Sequence, residues 1–373
     1  MMSKLITKLG GGLALALFSM LAHAEYELNL PKPVNEIAQQ IFNLHMATMW
    51  IIVGIAVVVY GAMFYSILKH RKSVGHKAAN FHHNTMIEIV WTTIPFIILV
   101  AMAYPATKTV LAMRDTSSPD MTVKVTGYQW KWEYDYQQEG FKFMSVLSTP
   151  REQLENKEPK GENYLLEVDN PMVVPVGKKV RILLTANDVI HAWWVPKFGV
   201  KQDAIPGFIR DTWFRADVPG TYRGQCAELC GKDHGYMPIV VVAKEQAEYD
   251  QWVAEQKAKA AAASQDSNKV YTLAELSTMG EKVYAANCAG CHQPKGEGMP
   301  PVFPALHGSK IVTGPKEAEI HIVMNGKEGT PMPAFGKQLS DTDIAAVITF
   351  TRNAWGNKVG DAIQSNDIKA SRK

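Results

Sequence analysis

With 373 residues the chain is too long for one small domain, and a formal net charge of +3 gives no electrostatic case for binding nucleic acid. The hydrophobic share is an ordinary 47 %, but it is concentrated in two early blocks, which points to a membrane anchor followed by further units. Its four cysteines form two close pairs, Cys226 with Cys230 and Cys288 with Cys291, and leave none for a disulfide framework.

Residues 1–24 have the build of a signal peptide. Lys4 and Lys8 charge the start, an apolar run follows through Leu21, and Ala22-His23-Ala24 offers a cleavage site before Glu25. The alternative is an uncleaved extra membrane helix, for which the apolar run is short. The segment 25–110 reads as an N-terminal stretch and a two-helix transmembrane hairpin. Its first span, 47–68, is about as long as a hydrocarbon core requires. The second, 86–106, contains Pro95, which a packed membrane helix tolerates. Lys69-His70-Arg71-Lys72 and Lys77 lie between the spans, while Glu25, Glu27 and Glu36 precede them. The positive-inside rule therefore puts the 69–85 loop in the cytoplasm and everything after about 108 in the periplasm. Glu88, near the cytoplasmic end of the second span, is a functional candidate because ionisable groups in membrane helices are costly. A carboxylate that merely favours the helix dipole would look the same.

From Met121 the period changes to two. Tyr128, Trp130, Trp132, Tyr134 and Tyr136 alternate, so a single strand would put all five rings on one face, most simply the buried face of a sandwich. Further strand-like runs at 164–168, 179–185, 212–215, 220–225 and 238–242 are separated by Pro and Gly, which predicts an all-β sandwich over 115–250.

The chemistry of that unit is concentrated at 224–238, Gly-Gln-Cys-Ala-Glu-Leu-Cys-Gly-Lys-Asp-His-Gly-Tyr-Met-Pro. Cys226, Cys230, His234 and Met237 follow at spacings of four, four and three. Two thiolates, an imidazole and a thioether are soft ligands that suit copper. The second cysteine allows a pair of sulfurs to bridge two metal ions, and His191 in Asp-Val-Ile-His-Ala-Trp-Trp is the candidate second histidine. A zinc site of Cys226, Cys230, His234 and one more ligand is the competing reading, although zinc rarely takes a thioether.

Residues 245–268 begin with helix formers and become alanine-rich and polar, which predicts a helix fraying into a linker, placed at 251–270. Beyond it, Cys288-Ala-Gly-Cys291-His292 is the attachment pattern for c-type haem, with His292 as proximal ligand; a Cys-x-x-Cys redox or zinc pair is the alternative. Met299, Met324 and Met332 are available as sixth ligand. Met332 is preferred, because Pro331 and Pro333 fix a loop that can present its sulfur. The unit runs over 271–357, and the polar tail 358–373 reads as loose.

The segments Leu-Leu-Glu-Val-Asp-Asn (165–170), His191-Ala-Trp, Asp203-Ala-Ile-Pro-Gly and the whole 224–238 loop resemble subunit II of haem–copper cytochrome c oxidases. The likeness runs from about Glu36 to Trp252, and 273–357 resembles a class I cytochrome c. This resemblance implies a multidomain fold: a transmembrane hairpin, a cupredoxin-like sandwich and an all-α cytochrome c domain. It implies a binuclear copper (CuA) centre bridged by Cys226 and Cys230, with His191 and His234 on one copper each. Met237 and the Glu228 carbonyl would be weak axial ligands, and the Glu228 carboxylate would reach a magnesium ion shared with subunit I. Trp130, in Gly-Tyr-Gln-Trp-Lys-Trp, would admit electrons, although Lys131 stands where many members carry an aromatic. Glu88, three residues before Trp91-Thr92, would mark the mouth of a proton channel.

The implied function is electron relay from cytochrome c, through the fused haem and the coppers, to the oxygen-reducing site of subunit I, coupled to proton translocation. Subunits I and III would be partners, in a bacterial inner membrane with the copper and haem domains in the periplasm. The alternatives are the same arm on a nitric oxide reductase-like complex, or a stand-alone membrane-anchored electron-transfer protein.

Overall fold

The computed structural model describes residues 29–77, 80, 82–266 and 269–372, so the signal-peptide reading at 1–24 lies outside the described residues. Helix α1 (Glu36–Lys69) and helix α2 (Thr85–Arg114) form the hairpin. Asn35 and Asn84 cap them, each side-chain oxygen accepting a first-turn N–H. Both are longer than the apolar runs predicted, at 34 and 30 residues, because polar turns at each end continue the helix outside the apolar block. Their apolar windows have mean hydropathies of 2.4 and 2.1 and are unburied within the chain, so both helices are long and apolar enough to cross a membrane.

The hairpin is tied to the next unit at both ends. The Asn35 amide donates to the carbonyls of Phe198 and Arg215, and Trp213 Nε1 donates to Ala112 O at 3.1 Å. That unit is a sandwich of ten strands: β1 (Met121–Tyr128), β2 (Lys131–Tyr136), β3 (Phe141–Ser145), β4 (Met172–Pro175), β5 (Lys179–Ala186), β6 (His191–Val195), β7 (Val200–Ala204), β8 (Arg210–Arg215), β9 (Gly220–Cys226) and β10 (Pro238–Lys244). The sheets have the orders β3-β2-β1-β5-β8 and β4-β10-β9-β6-β7. Between them lies a core that includes Val123, Val125, Trp132, Tyr134, Ile182, Leu184, Trp193, Phe214 and Ile239.

Two strand expectations are corrected. The aromatic stripe is not one strand. Tyr128 pairs with Lys131 across a two-residue turn, and the Gln129 N–H is held by Asp188 Oδ2 at 2.8 Å. Trp132, Tyr134 and Tyr136 are fully buried as expected, whereas Trp130 sits in the turn. The run 164–168 is not a strand either. Leu165 takes a left-handed backbone, Leu166 N–H closes a turn on Asn163 O, and only Val168 bridges, to Leu147.

The short helix α3 (Arg151–Leu154) interrupts the sandwich. Helix α4 (Gln246–Asp266) follows it. Helix α4 continues through the alanine-rich stretch to Asp266: alanine is the best helix former, and Trp252 anchors the start of the helix against Tyr136, Phe141 and Phe143. The last unit is helical, with α5 (Leu273–Asn287), α6 (Ala289–His292), α7 (Lys316–Asn325), α8 (Asp341–Asn353) and α9 (Ser365–Ala370). Capping boxes Thr272/Glu275 and Ser340/Asp343 start α5 and α8, which pack together through Tyr284 and Phe350. The tail, expected to be loose, is docked. Ile363 and Ile368 are buried, and the Gln364 side chain bonds both backbone groups of Tyr271. Buried apolar side chains, with ion pairs from Asp361 to Arg352 and from Asp367 to Lys316, anchor it.

Candidate functional site

Strands β6 and β9 are antiparallel neighbours with Trp193 opposite Cys226, which brings His191, at the start of β6, to the end of β9. The chain then loops through a 3-10 turn, His234–Tyr236, into β10, whose Pro238 pairs back with Gln225. Three strand ends therefore deliver His191, Cys226, Cys230, His234 and Met237 to one place. Both thiols are free, and their sulfurs lie 3.9 Å apart. His191 Nδ1 is 4.0 Å from Cys226 Sγ, and His234 Nδ1 is 3.4 Å from Cys230 Sγ. Met237 Sδ lies 3.5 Å from Cys230 Sγ, and the Glu228 carbonyl 3.4 Å from Cys226 Sγ.

This is a two-sulfur centre with one histidine and one weaker donor on each side. His191, Cys226, Cys230 and Met237 are all buried, and their donors are soft. A thioether aimed at the thiol pair suits copper better than zinc, so the residues present fit a copper centre.

Among the supporting contacts, those of Asp188, Gln129 and Gly127 come from residues not singled out as candidates in the sequence. Asp188 Oδ1 lies 2.8 Å from His191 Nε2, which turns Nδ1 toward the sulfurs. An acid three residues before a candidate ligand was a signal available in the sequence. Gln129 Nε2 and Trp130 Nε1 both donate to the Cys230 carbonyl, at 2.8 and 3.2 Å, and Trp132 Nε1 donates to Met237 O. Gly127 lies flat under the His191 ring, where a Cβ would come within 2.8 Å of Cδ2.

Electrostatics follow from this packing. Burial works to lower the His191 pKa, yet the Asp188 hydrogen bond and the Cys226 contact outweigh it and the pKa is raised. The two thiols titrate as a coupled pair. Cys226 is drawn down to about 3, chiefly by its partner Cys230 and against burial, and Cys230 is raised by the same pairing.

The other predicted residues fall in three places. Trp130 joins the centre through the Cys230 carbonyl. Glu228 offers its carbonyl to the centre from an exposed residue. Glu88 lies in the first turn of α2, at the far end of that helix from the sandwich and not part of the cluster.

In the helical unit, Cys288 caps α5 and leads into α6, so both cysteines and His292 occupy one tight bend. His292 is buried and its Nδ1 lies 2.9 Å from Pro304 O, which orients Nε2 as the nitrogen for iron. Burial lowers the His292 pKa, with the Pro304 contact opposing it, which favours the neutral imidazole. These residues fit a covalently attached haem. Met324 is packed in the apolar core and Met299 is 37 % exposed, whereas Met332 lies half-buried in its proline-flanked loop.

Glu319 in the same unit is 5 % exposed, and burial pushes its carboxyl up to about 7. Thr351 Oγ1 donates to it at 2.7 Å, but Arg352 is turned mainly to Asp361, at 2.7 Å against 3.7 Å to Glu319. A raised carboxyl binds its proton more tightly folded than unfolded, so stability falls as pH rises from about 4.5 to about 7. The expected loss is on the order of 3 kcal/mol. Denaturation of the haem-loaded chain, followed at the haem band, should show this slope, and Glu319→Gln should flatten it; a slope of equal size in the variant would assign it elsewhere.

Three segments of the chain match known protein families. Residues 121–244 match the family described as cytochrome C oxidase subunit II, periplasmic domain, and residues 23–109 its transmembrane domain. Residues 276–350 match cytochrome C oxidase, cbb3-type, subunit III. The probable cytochrome c oxidase subunit 2 of Rickettsia bellii (strain RML369-C) is 37 % identical over 71 % of this chain and 97 % of its own length. Cytochrome c oxidase subunit 2 of Alkalihalophilus pseudofirmus is 30 % identical over 91 % of this chain and 94 % of its own, so the similarity reaches into the helical unit. The crystal structure of the periplasmic domain of subunit II of cytochrome oxidase of Bradyrhizobium japonicum is 45 % identical. It covers 39 % of this chain and 98 % of that one, with a TM-score of 0.35.

Proposed function

We propose, for a chain that belongs to the cytochrome c oxidase subunit II family, that its periplasmic part is an electron relay built on a binuclear copper centre and a fused haem. Membership makes it a membrane-anchored component of a haem–copper oxidase with subunit I as partner, and it brings a copper centre and a cytochrome c domain. When bound, the copper centre and the haem each supply a one-electron redox couple.

The observation that carries the reading is the convergence of His191, Cys226, Cys230, His234 and Met237 at three strand ends. In this reading Cys226, Cys230, His191 and His234 would hold the copper centre, with Met237 and the Glu228 carbonyl as its weaker donors. Strands on both sides fix these side chains, so little rearrangement accompanies a change of charge. Trp130 is the entry residue, since its indole is hydrogen-bonded to the backbone of Cys230. Cys288 and Cys291 would hold the haem covalently, with His292 and Met332 as the residues that would ligate its iron. The Glu228 carboxylate would serve a magnesium ion shared with subunit I. The donor is a cytochrome c, subunit III is a further partner, and the location is a bacterial inner membrane with both redox domains periplasmic. Glu88 admits protons on the cytoplasmic side.

Metal counting and electron paramagnetic resonance on the full chain, matured with haem and copper, test this. Two coppers per chain with a seven-line copper pattern are expected, whereas one copper with four lines, or zinc, would overturn the relay. In the assembled oxidase, Glu88→Gln is expected to slow turnover without altering the copper pattern, and unchanged turnover would remove Glu88 from the proton path.

A further inference from the structure

The haem-attachment bend lies against the copper domain. Trp130 donates to Cys230 O on one side. On the other it faces Gly290, the residue immediately before Cys291, where a Cβ would lie 3.7 Å from Trp130 Cζ3 and 3.0 Å from Asp233 Oδ2. Lys232 Nζ donates to Gly290 O at 2.8 Å.

Beside this contact, Lys131 at the start of β2 is only 3 % exposed. Its ammonium donates to Asn287 Oδ1 at 2.5 Å and lies 5.2 Å from the centre of the Phe335 ring and 5.9 Å from that of Tyr128. Asn287 immediately precedes Cys288, and Phe335 follows Met332 by three residues. One cation of the copper domain therefore touches both chain segments that flank the haem ligands. Burying an ammonium is costly unless it is paired, and here a side-chain amide and the faces of aromatic rings supply the pairing. An apolar residue would fill the same space at lower cost, so the lysine's return is geometric: it accepts one docking arrangement and penalises others.

We propose that Lys131 is a positioning residue, a latch that docks the haem domain on the Trp130 face of the copper domain and holds the Cys288–Cys291 bend over the indole. The proposal rests on the relay reading for what the docking is for, but the docking itself is a property of the protein surface. Linkage by α4 already keeps the two domains at high effective concentration, and the latch converts proximity into one orientation.

The test uses the full-length chain in detergent, matured with haem and copper, and two variants that remove the contact from opposite sides, Lys131→Met and Asn287→Ala. The first readout is hydrogen exchange of the peptides covering 128–132 and 285–292. The second is the rate at which one electron passes from ferrous haem to the oxidised copper pair after flash photoreduction, with no bond or proton moved. Both variants are expected to raise exchange in those two peptides only. Both should slow the transfer about tenfold, the loss expected for removing one hydrogen bond to a charged group, with copper and haem spectra unchanged.

Unchanged exchange and unchanged transfer in Lys131→Met would overturn the latch. So would a loss confined to Lys131→Met and accompanied by an altered copper spectrum, since the lysine would then serve its own sheet. If the wild-type chain failed to assemble two coppers while interface exchange still rose in both variants, the relay reading would fall and the docking would stand.

Discussion

A Cys230→Ser chain is expected to lose the binuclear copper signature while keeping its fold and its haem. Cys230 sits among three of the candidate ligands, with its sulfur 3.9 Å from Cys226, 3.4 Å from His234 and 3.5 Å from Met237. Serine keeps the size but replaces a soft thiolate with a hard hydroxyl that stays protonated at neutral pH, so the centre loses one of its two bridging atoms. Losing a residue that merely orients a ligand costs about 10- to 100-fold in metal affinity, so loss of the ligand itself should cost at least about 100-fold. The fold should survive. The contacts from Gln129 and Trp130 end on the Cys230 backbone carbonyl, and most of the sandwich core lies away from the loop. Metal analysis of the matured chain checks this: at most one copper and no seven-line pattern, with haem still at one per chain. Retention of two coppers and the seven-line pattern would mean that the sulfurs do not bridge.

Met332→Ala is expected to change the haem as sharply. Met332 is held at both backbone groups. Its N–H donates to Thr330 Oγ1, its carbonyl accepts from Lys327 N–H, and prolines on either side restrict the loop. Alanine offers no sulfur, so the iron should become high-spin or water-ligated. Its potential should fall by on the order of 0.1 V or more, within the range of about 0.8 V that axial ligands command. The methionine charge-transfer band should vanish while Cys288 and Cys291 keep the haem covalently bound. Persistence of that band would move the ligand to Met299, since Met324 is enclosed in the apolar core.

Much of this protein was legible in the sequence because the chemistry is local. Two membrane spans announce themselves as apolar blocks, and the Cys-Ala-Gly-Cys-His bend is complete within five consecutive residues. Within 224–238 the spacing of Cys226, Cys230, His234 and Met237 specifies a ligand set before any fold is known. The structure decided what depends on residues far apart in the chain. His191 reaches Cys226 only because β6 and β9 are neighbours, and Asp188 counts as its support only once that pairing is made.

Periodicity also misleads where tertiary contacts interrupt it. The stripe from Tyr128 to Tyr136 alternates without a break, yet Asp188 captures the Gln129 N–H and turns the chain, which frees Trp130 from the core. A polar tail and an alanine-rich segment look loose when read alone, but buried Ile363 and Ile368 dock the first, and Trp252 seats the start of the helix that carries the second. Lys131 is the clearest case. In sequence it is a cation among aromatic residues, and its contact, at 3 % exposure, with Asn287, 156 residues further along the chain, exists only where the two domains pack together. Ligand identity is a matter of nearest neighbours along the chain, whereas ligand orientation and domain docking are set by the order in which strands and domains pack.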